Sequence, residues 1–201
     1  LKKWILALST LVFLLTATTG CSFIKDQVNA TAIADDMNKI VEKANTNDEL
    51  VQKINGQYEE FGKVLQGNKI TPDVAKKAQP YLDNALKDAK SYDEAVKKLA
   101  SDIPKLKELV AKFTDAETKK LADQFVTDFE KSSKLEVQYS ETQLKLIEAD
   151  KNFLNTNGKE VAGKDLVDKH ADLNKQLQTS IDEFNKSWGE FNKKVTGDKI
   201  K

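Results

Sequence analysis

His170 and Cys21 are each the only residue of their kind in this 201-residue chain, and they bound the chemistry it can carry. A hydrolytic triad needs a histidine close to a nucleophile and an orienting acid. His170 lies on an apolar stripe between Leu166 and Leu173, so the spacing predicts a structural histidine at a helix seam. Asp165, Asp168 and Asp172 are its nearest acids in sequence. The places three and four residues away hold Leu166, Val167, Leu173 and Asn174, so no helical histidine–carboxylate metal pair is formed. A single cysteine allows no internal disulfide and no CxxC pair. Asp35-Asp36 and Glu59-Glu60 read as solvated helix faces, and no loop fits an EF-hand or a P-loop. No catalytic, cofactor-binding or metal-ligating residue is therefore assigned, and the chain is read as a non-enzyme.

Cys21 carries more information through its neighbours. Lys2 and Lys3 precede the apolar run Trp4–Leu15, and Thr18-Thr19-Gly20 stand before the cysteine. A basic start, a short apolar stretch and small residues before a cut site make a secretory leader. A cysteine directly after Gly20 gives it the pattern of a bacterial lipoprotein signal, although Thr18 stands where an aliphatic residue is usual. Residues 1–20 are thus expected to be the signal peptide, with Cys21 the lipid attachment site. The apolar stretch is shorter than the roughly 20 residues a spanning helix needs. The expected location is the extracellular face of the plasma membrane, with the membrane as partner through a diacylglyceryl anchor. Asn29-Ala30-Thr31 fits a glycosylation acceptor and is expected to be inert there. The first residue is Leu1 and the only methionine is Met37, so a fragment or a non-standard start codon is expected.

Losing Lys2 and Lys3 with the leader leaves 30 lysines against 32 acidic residues, and the chain has no arginine. Arginine is the preferred residue for bidentate contact to phosphate and guanine. Near-neutral charge without it argues against nucleic acid as a partner. High charge beside 39% hydrophobic residues is the composition of long amphipathic helices.

The elements follow from apolar spacing. Residues 21–30 are expected to be a polar tether and 31–201 a single helical domain. Ile33, Met37, Ile40 and Ala44 make one helical stripe. Thr46 with Glu49 resembles a capping box and predicts a fresh helical segment along Val51, Ile54, Tyr58, Phe61 and Leu65, ended by Gly67. Thr71-Pro72-Asp73 opens the next helix with a cap, a proline at the first position and an acid in the first turn. Its seam runs from Leu82 through Ala85, Ala89, Tyr92, Val96, Leu99, Ile103, Leu106 and Val110 to Phe113, with Pro80 and Pro104 expected to bend or break it. Thr114 and Glu117 suggest another capping box. The third seam is read as Leu121, Phe125, Phe129, Leu135, Tyr139, Thr142, Leu146, Ala149 and Phe153, weakening at Ser132, Ser133 and Glu136. Residues 155–164 form a loop. The last stripe is Leu166, His170, Leu173, Leu177, Ile181, Phe184, Trp188, Phe191 and Val195, slipping near Ser180.

Four long amphipathic segments with short connections predict an all-α fold, an elongated antiparallel up-and-down bundle with four-helix, spectrin-like or coiled-coil-like packing. At 1.5 Å per residue the second segment would make a rod about 60 Å long. This topology gathers Phe113, Phe125, Phe129, Phe184, Trp188 and Phe191 at the pole of Cys21. It puts loops 66–72 and 155–164 together at the other.

The stretch Ser91-Tyr92-Asp93-Glu94 through Asp102-Ile103-Pro104-Lys105-Leu106, and Phe113-Thr114-Asp115-Ala116-Glu117-Thr118-Lys119-Lys120 with the aromatic-spaced helix after it, resembles the YkyA-like cell-wall-binding lipoproteins of low-GC Gram-positive bacteria. The leader and overall length agree. The resemblance implies a lipid-anchored extracellular bundle with a wall-binding role, toward cell-wall polymer, and an envelope protein is the other partner expected of a non-catalytic protein placed there. It brings no catalytic motif and no cofactor, and only Cys21 carries over. The alternative is a small-ligand carrier or an enzyme with a site between the helices. Inward polar groups would build such a site, and the stretch around Ser132, Ser133 and Glu136 is where it would lie.

Overall fold

The computed structural model describes residues 21–196, with side chains from Lys25 onward. The leader and the Cys21 side chain lie outside the described residues. The chain forms an all-α up-and-down bundle built from α1 (Cys21–Leu65), α2 (Pro72–Ala100), the short α3 (Ile103–Val110), α4 (Ala116–Asn155) and α5 (Lys164–Thr196), with no strand among the described residues.

Local chemistry sets most of the boundaries. The Thr71 hydroxyl accepts the Val74 N–H at 3.3 Å at the start of α2, as its sequence predicts. Pro80 stands exposed inside α2, which runs through it unbroken. The break comes at Ser101–Asp102, and Pro104 falls in the first turn of α3, where its missing N–H has no intrahelical partner to lose. Gly67, at φ +73°, follows the end of α1 in the left-handed conformation that releases a chain from a helix.

Three boundaries differ from the sequence expectation. Residues 21–30 are helical and not a tether: they belong to α1, and Asp26 and Ala30 are buried. The Thr46–Glu49 box starts nothing, because the helix is already running and its preceding carbonyls take those N–H groups; Asn47 turns into the core. At the start of α4 the cap is Asp115, one residue later than Thr114: its Oδ1 accepts the Thr118 N–H at 2.8 Å and the Thr118 hydroxyl at 2.7 Å. Glu117 is instead paired with Lys194.

Contacts divide the chain into two units. One holds residues up to Ala44, Lys98–Lys134 and those from Leu177; the other holds Asn45–Lys97 and Leu135–Gln176. In the first, Ile33, Met37, Ile40 and Ala44 are buried with Ile103, Leu106 and Val110. The six aromatics expected together are together. Phe113 meets Phe191 edge-on at 6.0 Å, Phe125 meets Trp188 at 5.0 Å, and Phe129 lies 5.4 Å from Phe184. Burying each such ring stabilises by about 1.5–3 kcal/mol. In the second unit Phe61, Ala78, Leu82 and Leu154 form a core covered by Tyr58, Ile70 and Phe153. Here the α4 seam is one residue out from the expected one. Ile147 and Leu154 are buried at 0% and 1% exposure, while Leu146 and Phe153 are only half-buried. The polar run before them shifts the face that α4 presents inward.

Candidate functional site

Polar side chains enter the core chiefly along α4. Ser132, Ser133, Glu136, Ser140 and Gln143 lie at helical spacing and are all buried, so the inward face of this helix carries polar side chains over residues 132–143. Ser132 donates back to the Phe129 carbonyl at 2.9 Å, which satisfies it within its own helix.

Within the second unit, Glu136 is the chemically distinctive group. Its carboxylate accepts the Tyr92 hydroxyl at 3.1 Å, and both residues are buried, at 4% and 2% exposure. Burial pushes the Glu136 carboxyl up to about 7; the Tyr92 hydrogen bond opposes the rise and the negative charge of Asp48 adds to it. The Tyr92 phenol is held well above its ordinary range by burial first and by Glu136 next. One turn on, the Ser140 hydroxyl donates to Asp93 at 2.8 Å, and Asp93 also pairs with Lys97 at 2.9 Å. Asn47 Nδ2 and Gln143 Oε1 are buried without a hydrogen-bond partner. Toward the loops, Tyr58 donates to Asp150 at 2.8 Å, and burial raises both groups.

His170 is half-buried and stacks on Tyr139 at 4.4 Å with 24° between the rings. Burial lowers its pKa. Its Nδ1 has no hydrogen-bond partner, and its half-buried place against Tyr139 agrees with the seam position read from the sequence. Among the described residues no group of histidine, cysteine and acidic side chains has the arrangement of a metal site.

At the start of α1 an open cavity of about 480 Å³ is lined by Asp26, Gln27, Thr114, Asp115, Thr118 and Lys194. Its polar wall is committed to structure. Asp26 accepts the N–H groups of Thr114 and Asp115, each at 2.7 Å, and Lys194 pairs with Glu117.

In the second unit the loops after α1 and α4 meet. A Cβ on Gly158 would lie 3.3 Å from Ile70 Cγ1 and 3.4 Å from Phe153. Asn157 and Gly158 hold φ of 52° and 80°, so the α4–α5 connection turns in the left-handed region. Val161, in that loop, is 75% exposed.

Cys21 is the one site residue that the sequence leads one to expect, and its side chain is outside the described residues. The Tyr92–Glu136 pair was missed. Its signal was the polar gap at Ser132, Ser133 and Glu136 opposite a tyrosine in an otherwise apolar seam. No family model matches the chain, and no curated protein or solved structure matches it either.

Proposed function

We propose that this chain is a non-catalytic, lipid-anchored protein of the extracellular cell envelope, which holds a helical bundle at the membrane and meets wall polymer or an envelope protein through its paired loops. The leader ending at Cys21 and the resemblance to the YkyA-like lipoproteins motivate the reading. The structural observation that carries it is the junction behind the anchor. Cys21 is already helical, and five residues on, Asp26 is bonded to Thr114 and Asp115. A lipid on Cys21 would then be joined to a folded body with no intervening linker. No helix among the described residues is long and apolar enough to cross a membrane. Two acyl chains or an equivalent pair of signals give stable attachment where one chain is marginal.

The test is fractionation of cells expressing the parent and Cys21→Ala. The variant is expected to leave the membrane fraction; equal retention overturns the anchoring. Purified protein is then incubated with isolated cell walls beside variants in which residues 66–71 or 156–163 are replaced by Gly-Ser. Loss of wall retention in either variant supports the loops. Retention that survives both and vanishes in added salt reduces the contact to charge attraction.

The open cavity of about 480 Å³ beside Asp26 favours a second reading, a small-ligand carrier, because its size falls within the range of ligand pockets. Native mass spectrometry of the protein taken from cells would show a bound small molecule if this reading holds, and bare protein if it does not.

A further inference from the structure

We propose that Tyr92 and Glu136 form a proton-operated latch in the second unit: the neutral carboxyl keeps the seam between α2 and α4 closed, and loss of its proton loosens it. The geometry is that of a carboxyl built to be neutral. Glu136 is 4% exposed and has a single hydrogen-bond donor, the Tyr92 hydroxyl at 3.1 Å. No lysine among the described residues pairs with it, although the exposed faces of the same helices are laced with lysine–acid pairs such as Lys97–Glu141 and Lys151–Asp83.

An ionised carboxylate so placed would need more donors or a cation, since a buried unpaired charge is among the most destabilising features a core can hold. The titratable neighbours do not relieve it. Tyr92 faces it from α2 as a neutral phenol, and Asp48 acts on it from α1 with charge of the same sign. Asp93 is engaged with Ser140 and Lys97. From α5, His170 stacks on Tyr139, nearly one turn along α4 from Glu136, and burial favours its neutral form.

The direction of the response follows from linkage. Burial holds the closed carboxyl up to about 7, whereas in an opened segment it regains the ordinary glutamate value of 4.5. Between those values the closed form keeps a proton that the open form has lost. Opening therefore becomes easier as pH rises from 4.5 to about 7 and levels off above. The latch is tight in acid and loose in base.

Hydrogen exchange of the full chain, corrected for the intrinsic exchange rate at each pH, reads the opening of residues 88–96 and 135–140. The parent is expected to lose protection there more than roughly tenfold between about pH 5 and pH 8, since each unit within the window allows up to a tenfold change. Glu136→Gln, which keeps the shape and an acceptor for Tyr92 but cannot ionise, is expected to abolish that change. Tyr92→Phe removes the donor that favours the ionised form, and should move the midpoint to higher pH. A purely structural pair would not move it. Constant protection in the parent, an unchanged profile in Glu136→Gln, or an unmoved midpoint in Tyr92→Phe each overturns the latch. If Glu136→Gln fails to fold, the Tyr92→Phe midpoint decides alone.

Discussion

Asp26 holds the connection just ahead of a helix that begins ninety residues later: its Oδ1 accepts the backbone N–H of Thr114 at 2.7 Å and the Thr114 hydroxyl at 3.0 Å, while Oδ2 takes the N–H of Asp115. The carboxylate thus satisfies donors just ahead of α4 and pins the first turns of α1 to the α3–α4 connection. Asp26→Ala removes all three bonds and leaves two backbone donors without their partner. We expect a loss of about 1–3 kcal/mol in urea unfolding. Asp26→Asn, which keeps one acceptor oxygen, should lose less. Equal stability of Asp26→Ala and the parent would mean that water replaces the carboxylate without penalty.

Trp188 is 9% exposed and lies against Phe125 at 5.0 Å and Phe191 at 5.7 Å. Trp188→Ala should destabilise the protein by about 3–5 kcal/mol, through lost transfer free energy and the cavity left behind. Trp188→Phe should retain most of that. A near-zero effect of the alanine change would place the indole on the surface and make it a binding residue.

The glycines of the paired loops should respond in a fixed order. Gly158 has φ +80° and a prospective Cβ contact of 3.3 Å with Ile70, so Gly158→Ala carries both backbone strain and crowding. Gly67 has φ +73° and open space, so Gly67→Ala carries the strain alone, about 1–2 kcal/mol. Gly163 has neither, and its alanine variant should match the parent. Thermal unfolding of the three variants checks the order Gly158, Gly67, Gly163.

His170 gives a pH dependence opposite in sign to that of Glu136. Burial against Tyr139 holds the imidazole below its ordinary value of 6.5, so the folded chain binds fewer protons there than the unfolded chain once pH falls through 6.5. Stability should therefore drop as pH is lowered below that value and be flat above it. Glu136 masks this trend, because its own contribution rises on acidification. In a Glu136→Gln background the urea midpoint should fall from pH 7 to pH 5, and adding His170→Gln should flatten the fall. Parallel slopes for the two proteins would show that His170 titrates freely in the fold.

The helices and their inward faces could be read from the chain because a 3.6-residue period leaves one way to bury an apolar stripe. Every residue from Leu82 to Phe113 on the α2–α3 seam is buried as its spacing requires, and Pro104 marks the break because a ring without an N–H suits only the first turn of a new helix. The aromatic group around Trp188 was legible for the same reason, since short connections force neighbouring helices to run antiparallel.

What required the tertiary structure was the use made of polar residues, whose roles depend on partners far away in sequence. Lys25, Asp26 and Gln27 look like solvated tether until the α3–α4 connection comes within reach of Asp26, 88 residues away. Thr46 and Glu49 match a helix start, but a helix that is already running has no orphan donors there to cap. The inward turn of Ile147 and Leu154, one residue away from Leu146 and Phe153, follows from burying Glu136 and Ser140 in the preceding turns. A polar gap in a seam reads in sequence as a weakness or a binding site. Only the position of Tyr92 on the facing helix makes it a closed pair, because burial and the hydroxyl's reach set which form of the carboxyl the core can hold.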